Sequence, residues 1–291
     1  MARTVRRLTA LPPTSRLYGK AALAAGRHGT TLPEVELVVD RVTVDRDRLA
    51  AYDRACGFSL RDELPPTYPQ VLAFPVQLAL MTDDQFPFAL PGLLHIRNAI
   101  SVRRPVDAGE RLTLRVHAER LEPHPKGAQL DVVTDAEVDG EAVWTGRATY
   151  LARGANLRPA GISDLAVVRP EPELPEPTTA CWRVPAGTGR RYASVAGDLN
   201  PIHLHPLAAK AFGFRRAIAH GMWSKARCLA ALEGRLPEAY DLDVAFKKPL
   251  LLPATVEFAS EVTAGGWVFG LRSPDGTPHL AGTAEAEEEP G

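Results

Sequence analysis

Four landmarks occur twice in this chain, in the same order, and a chain built that way folds as two like units. Tyr52 precedes Gly57 by five residues, as Tyr192 precedes Gly197. Ala73 and Phe74 before Pro75 answer to Ala219 and His220 before Gly221. Arg103, Arg104, Pro105 and Val106 answer to Lys247, Lys248, Pro249 and Leu250, and the pair Asp139 and Gly140 answers to Asp275 and Gly276. The separations run from 136 to 146 residues. One match of this kind would be unremarkable; the ordered set points to duplication, and 291 residues leave each copy the length of an ordinary domain.

Patterning within the first copy gives its class. Residues 34–44 place Val35, Leu37, Val39, Val42 and Val44 in the rhythm of an edge or half-buried strand. A mixed stretch follows around residues 52–58, then an apolar run over 71–81 long enough for a buried helix. Strands are expected across 94–116, bent at Arg103, Arg104 and Pro105 and turned at Asp107, Ala108 and Gly109. Two more, over 130–138 and 142–152, meet at Asp139 and Gly140, a two-residue hairpin signal. One helix with several antiparallel strands is an α+β arrangement. Residues 1–30 read as a basic arm with one short helical piece over 15–25, ending at Gly26. The prolines at 170, 172, 175 and 177, interleaved with Glu171, Glu173 and Glu176, suggest a stiff, solvated linker. The expected division is therefore 1–158, a linker over 159–177, and 178–291.

The copies differ in chemistry. Phe58 stands where the second copy has Asp198, and Pro75, which has no N–H, stands where it has Gly221. The first copy has no equivalent of Asn200, Pro201 and His203. Only the second copy keeps the polar groups.

Charge and cysteine content narrow the partners. Thirty-four basic against 35 acidic residues give a formal net charge of −1, so no global field favours nucleic acid or an anionic membrane surface. Cys56, Cys181 and Cys228 are scattered and odd in number, which suits free thiols in a reducing compartment, and a cytoplasmic location is expected. Pro12 and Pro13 interrupt the apolar residues that follow Arg3, Arg6 and Arg7, so no signal peptide is read there.

The residues that carry chemistry lie together. Gly197, Asp198, Leu199, Asn200, Pro201, Ile202 and His203 put an acid, an amide and an imidazole into one turn-rich segment, with Tyr192 ahead and Ala219, His220, Gly221 and Met222 beyond. Taken alone, the acid, Asn200 and Pro201 could be an Asx-type turn capping a helix. In this register, however, the stretch resembles the R-specific enoyl-CoA hydratase (hydratase 2) or MaoC-like dehydratase family, closely over about thirty residues and loosely over the second half. The resemblance implies a hot-dog fold, an antiparallel sheet wrapped around a central helix, here in tandem. It also implies that Asp198 and His203 hold the water that adds to, or leaves from, the C2–C3 bond of an acyl thioester. Gly221 N–H, at a helix N-terminus, would then support the thioester oxygen. Asn200 would orient the loop, Tyr192 would serve as a wall or a catalytic group, and His220 would enter the helix.

Several expectations follow from that resemblance. The substrate is an acyl-CoA or an acyl carrier protein thioester, with no cofactor beyond the carrier. Lys247, Lys248, Arg215 and Arg216 would grip its phosphates or form a solvated rim. Phe74 and the helix around it would shape an acyl pocket or only complete the sheet. His203, His205 and His220 invite a metal reading, but no carboxylate or cysteine is read as completing a usual set of four ligands or of three plus water, and no metal is expected. The fused pair already supplies what single-unit relatives gain by dimerising, so homodimerisation stays open. A hot-dog thioesterase and a non-catalytic acyl-binding subunit are the alternatives.

Overall fold

Two strands meet at the centre of the molecule and make one sheet out of two. The computed structural model describes residues 3–23, 29–155, 157 and 172–287. In the first unit, β1 (Thr4–Leu8) and α1 (Thr14–Leu23) lead into β2 (Val35–Val42), α2 (Arg46–Cys56), α3 (Tyr68–Met81), β3 (Leu93–Val102), β4 (Leu112–His124), β5 (Gly127–Val138) and β6 (Glu141–Arg153). In the second, β7 (Thr178–Val184) is followed by α4 (Thr188–Ala196), α5 (Pro201–Leu204), α6 (Pro206–Ala211), α7 (Gly221–Ala231), β8 (Tyr240–Phe246), β9 (Ala254–Thr263), β10 (Gly266–Arg272) and β11 (Pro278–Ala286).

The sheet runs β1-β2-β4-β5-β6-β3-β8-β11-β10-β9-β7. Leaving β1 aside, each unit orders its five strands first, third, fourth, fifth, second, and the two second strands pair antiparallel, Arg97 opposite Ala245 and Val102 opposite Tyr240. This is a double hot-dog. Three of the four landmarks of the repeat fall at the same place in both units. Gly57 and Gly197 end α2 and α4 in the left-handed conformation. Arg103 and Lys247 follow β3 and β8, and Gly140 and Gly276 turn the β5–β6 and β10–β11 hairpins. The repeated tyrosines face each other where α2 meets α4, with the Tyr52 and Tyr192 rings 6.0 Å apart and Arg48 Nε donating to Val195 O at 2.8 Å.

The central helices are apolar because the sheet covers them. Of the fourteen residues of α3, twelve are buried, including Gln70, whose Nε2 donates to Gln77 Oε1 at 2.8 Å, and Gln77, whose Nε2 donates to Thr134 Oγ1 at 2.7 Å. Where α7 begins at Gly221, α3 runs on seven residues ahead of Pro75, so Phe74 and Pro75 lie inside a helix rather than at its start. Lys225 of α7 is fully buried and donates to Asn98 Oδ1 at 2.7 Å and Asn98 O at 3.0 Å, tying the second unit's helix to the first unit's β3.

That buried amine makes stability depend on pH. Burial pushes the Lys225 amine down to about 7, against the pull of Asp243. The unfolded chain, with an ordinary lysine, binds more protons above that value, so stability rises as pH increases from about 7 towards about 10, by up to about 1.4 kcal/mol per pH unit. In Lys225→Met this rise is expected to vanish, which melting temperatures across the window will show.

Three sequence expectations change. The basic arm is not free: β1 pairs parallel with β2 and α1 docks beside α3, so β2 lies one strand in from the edge. The mixed stretch around residues 52–58 is the end of α2, whose five charged residues hide the helical pattern; Asp45 caps it, its carboxylate accepting from Asp47 N and Arg48 N. Residues 159–171 of the expected linker lie outside the described residues; at its described end Leu174 and Pro175 pack on the second unit, while Glu173, Glu176 and Pro177 are exposed. Pro175 is buried, and Arg272 donates to Pro175 O at 3.3 Å and Glu176 O at 2.6 Å.

Candidate active site

The segment after Gly197 is shaped by its own short-range hydrogen bonds. The Asn200 side chain caps the four-residue α5, accepting from Ile202 N at 3.3 Å, while its backbone N–H donates to Asp198 Oδ1 at 3.1 Å. Pro201 follows at the first helical position, where its missing N–H costs nothing. α5 then presents His203 inwards, because α4 passes directly beneath it: a Cβ on Gly189 would meet His203 O at 2.2 Å, so only glycine allows this approach.

Three polar side chains converge. Ligand atoms of Asp198, His203 and His220 all lie within 4.8 Å of one another. The His203 and His220 rings stack at 3.7 Å. His203 Nδ1 donates to Ile218 O at 2.9 Å, since a carbonyl only accepts, and this leaves Nε2 as a free lone pair. His220 Nε2 likewise donates to Asp198 O at 3.2 Å, bracing the loop. The expectation that no carboxylate joins the histidines is corrected here: Asp198 does so in space, whereas His205 is exposed and caps α6 by accepting from Leu207 N.

Burial sets the protonation states. It lowers His203, opposed by Asp198 and the Ile218 carbonyl. It takes His220 down to about 3, with His203 adding to the effect, so both imidazoles are neutral at neutral pH. For Asp198 burial would raise the carboxyl, but His220, His203, a Tyr18 hydroxyl and the Asn200 N–H together hold it below its ordinary value. The site is an anion beside a neutral base.

These groups stand at one end of a cavity of about 290 Å³ that both units line. The second unit supplies the polar end and Phe246; α3 and β3 of the first unit supply Val71, Phe74, Leu93 and Ile96. Tyr192 forms part of the wall, buried with its ring 4.9 Å from His220. Gly221 is the first residue of α7, where a backbone N–H has no partner within the helix, and it lines the cavity. A Cβ there would stand 3.0 Å from the Phe246 ring. Lys247 and Lys248 also line the cavity, beyond the end of β8.

Of the phosphate-binding candidates expected from the sequence, Arg215 and Arg216 stand apart: both are exposed and outside the lining, and Arg216 donates to Pro253 O at 3.3 Å. Sequence reasoning missed Tyr18, His95 and Tyr150, which also line the cavity. His95 sits at a bulge of β3, stacked on Tyr150 at 4.9 Å with Nε2 buried and unpartnered. None of the three belongs to a motif or to the repeat.

A second cavity of about 260 Å³ lies where the repeat places the first unit's version of the site. Phe58, following Gly57 as Asp198 follows Gly197, lines it with Leu64, Trp144, Leu229 and Tyr240. The fold keeps the space, but Phe58 replaces the acid at the position equivalent to Asp198 and no histidine lines it; its carboxylates are Glu63, Glu233 and Glu238.

Comparison with known proteins agrees with this geometry. Residues 169–277 match the family described as MaoC like domain. The chain is 38% identical over 255 residues to 3-hydroxyacyl-thioester dehydratase X of Mycobacterium tuberculosis, covering 87% of this chain and 89% of that one. A crystal structure of that dehydratase superimposes with a TM-score of 0.77 at 36% identity, covering 87% of this chain and all of that one. Over 143 residues, 45% of either chain, it is 30% identical to the peroxisomal enoyl-CoA hydratase 2 of Arabidopsis thaliana.

Proposed function

The chain belongs to the MaoC-like dehydratase family, and we propose that it interconverts trans-2-enoyl and (3R)-3-hydroxyacyl thioesters by adding or removing water at the C2–C3 bond. The observation that carries this reading is the pairing of ionised Asp198 with neutral His203, whose Nε2 is left as a lone pair: a carboxylate oxygen and a ring nitrogen of the two lie within 4.8 Å, and both residues line one cavity. A water making two hydrogen bonds of about 2.8 Å at a tetrahedral angle spans about 4.6 Å, so one water fits between them.

In hydration, the pair takes a proton from that water as its oxygen bonds to C3. The π electrons move towards the thioester carbonyl, and C2 then receives the proton that the pair had taken. One pair on one face serves both steps, which gives syn addition, and dehydration is the reverse. The negative charge that builds on the thioester oxygen meets the N–H of Gly221 and the positive end of α7. His220 and Asn200 hold the loop that carries the acid.

Lys247 and Lys248, at the cavity wall beyond β8, suit the phosphates of coenzyme A or of a carrier protein's pantetheine arm, and the reaction calls on no other cofactor. Arg216 has no part in this. The walls from α3 and β3 give the first unit the role of bounding the acyl chain, and because one chain supplies both sides of the cavity, a homodimer is not needed to complete it.

The test is hydration of trans-2-enoyl-CoA thioesters of increasing length, followed by loss of enoyl absorbance and chiral analysis of the product. The (3R)-hydroxyacyl thioester is expected, with Phe74→Ala shifting the preferred length upwards. Release of free thiol without hydration would make the protein a thioesterase instead, and a (3S) product would overturn the stereochemical assignment. An unchanged length profile in Phe74→Ala would remove that residue from the acyl pocket.

A further inference from the structure

The N-terminal segment, which carries no motif, reaches the acid of the second unit. Thr14, at the start of α1, lies 3.8 Å from where a Cβ of Gly197 would stand. One helical turn on, Tyr18 Oη donates to Asp198 Oδ1 at 2.5 Å, a contact 180 residues apart in sequence. The segment is fastened to the first unit on its other side. Arg6 pairs with Asp83 at 2.8 Å, Lys20 with Asp84 at 3.2 Å, and Ala21 is buried.

Oδ1 of Asp198 therefore receives two hydrogen bonds, from Tyr18 O–H and Asn200 N–H. Oδ2 lies 3.7 Å from His220 Nε2, too long for a hydrogen bond. A carboxylate held at one oxygen by two donors cannot swing, and its second oxygen stays free for the water. Burial and the Asp198 carboxylate push the Tyr18 phenol far above its ordinary value, so it donates throughout the working pH range.

We infer that Tyr18 is a positioning residue for the reaction: its hydroxyl fixes the rotamer of Asp198 and holds it ionised, making the N-terminal segment a third contributor to the active site beside the two hot-dog units. The inference rests on the role proposed above for Asp198. The titratable groups that face Asp198 are Tyr18 from α1, His203 from α5, His220 at the start of α7, Tyr192 from α4, Tyr150 from β6 and His95 from β3. Of these, Tyr18 alone bonds its carboxylate through a side-chain hydroxyl among the described residues.

Tyr18→Phe keeps the ring and removes the donor. Losing a charge-assisted hydrogen bond raises the Asp198 pKa, so the acid limb of kcat/KM is expected to move up by about one pH unit. At neutral pH, kcat should fall about tenfold with KM within about twofold and the melting temperature nearly unchanged. A carbon-13 titration of the Asp198 carboxyl, independent of turnover, should move in the same direction. An acid limb and a carboxyl titration that both stay in place overturn the inference, whatever happens to kcat. If the wild-type protein hydrates no enoyl thioester, the proposed function falls, and the carboxyl titration still decides whether Tyr18 acts on Asp198.

Discussion

Asp198→Asn is expected to lower kcat for hydration of an enoyl thioester by about 10²–10⁴-fold, the usual worth of a general acid or base. The substitution is nearly isosteric. Its side-chain oxygen can still accept from Tyr18 and from Asn200 N–H, and His220 still donates to the backbone carbonyl, so the loop keeps its shape. What is lost is the charge and the ability to share a proton with His203. The side chain is 27% exposed, into the cavity, so the change creates no void. Unfolding by heat should therefore change little while turnover collapses, and comparing the two readouts separates chemistry from folding. Near wild-type turnover would remove Asp198 from the mechanism.

The second large effect is expected at Gly221, and it takes a pair of variants to read it. Gly221→Pro removes the N–H of a residue that lines the cavity, the proposed oxyanion donor, and loss of one such donor typically costs about 10²–10³-fold in kcat. Proline is acceptable there for folding, because the first helical position needs no N–H bond. The preceding residue, His220, already has φ −66° and ψ 138°, the extended conformation that proline imposes on its neighbour. The ring still crowds Phe246, whose atoms stand 3.0 Å from the new Cβ. Gly221→Ala brings the same Cβ and keeps the N–H. If alanine loses as much as proline, the glycine serves close packing against Phe246, and the donor role is wrong.

The site was legible in the sequence to the extent that its parts are neighbours along the chain. Asp198, Asn200 and His203 occupy six residues because one capped turn presents them, and turn formers announce such a segment. The duplication was legible because caps and hairpins tolerate few residue types: Gly57 and Gly197 both take the left-handed conformation, and Asp139 (φ 50°) with Gly140 (φ 87°) forms the tight turn that residue pair favours. Strand order was not legible, since the pairing of β3 with β8 joins segments about 140 residues apart and nothing local encodes it. Tyr18 was hidden for the same reason, a single phenol on a short polar helix whose partner is 180 residues away. Arg216 shows the opposite failure. Its charge suggested a phosphate, but sequence does not say which way a side chain points, and this one turns to Pro253.

The join between β3 and β8 also bears on how the protein behaves on dilution and under mutation. Arg97 pairs with Asp243 across it, and Lys225 crosses to Asn98. With both halves on one polypeptide, the second half is always present at the effective concentration that tethering provides, so assembly of the cavity is unimolecular. Turnover per chain is then expected to show no threshold in protein concentration, which an activity series over dilution will check. In an assembly of identical subunits every substitution appears twice; in this chain it appears once. Phe58 can stand at one end of the pseudo-twofold and Asp198 at the other, giving one proposed active site per 31.5 kDa chain.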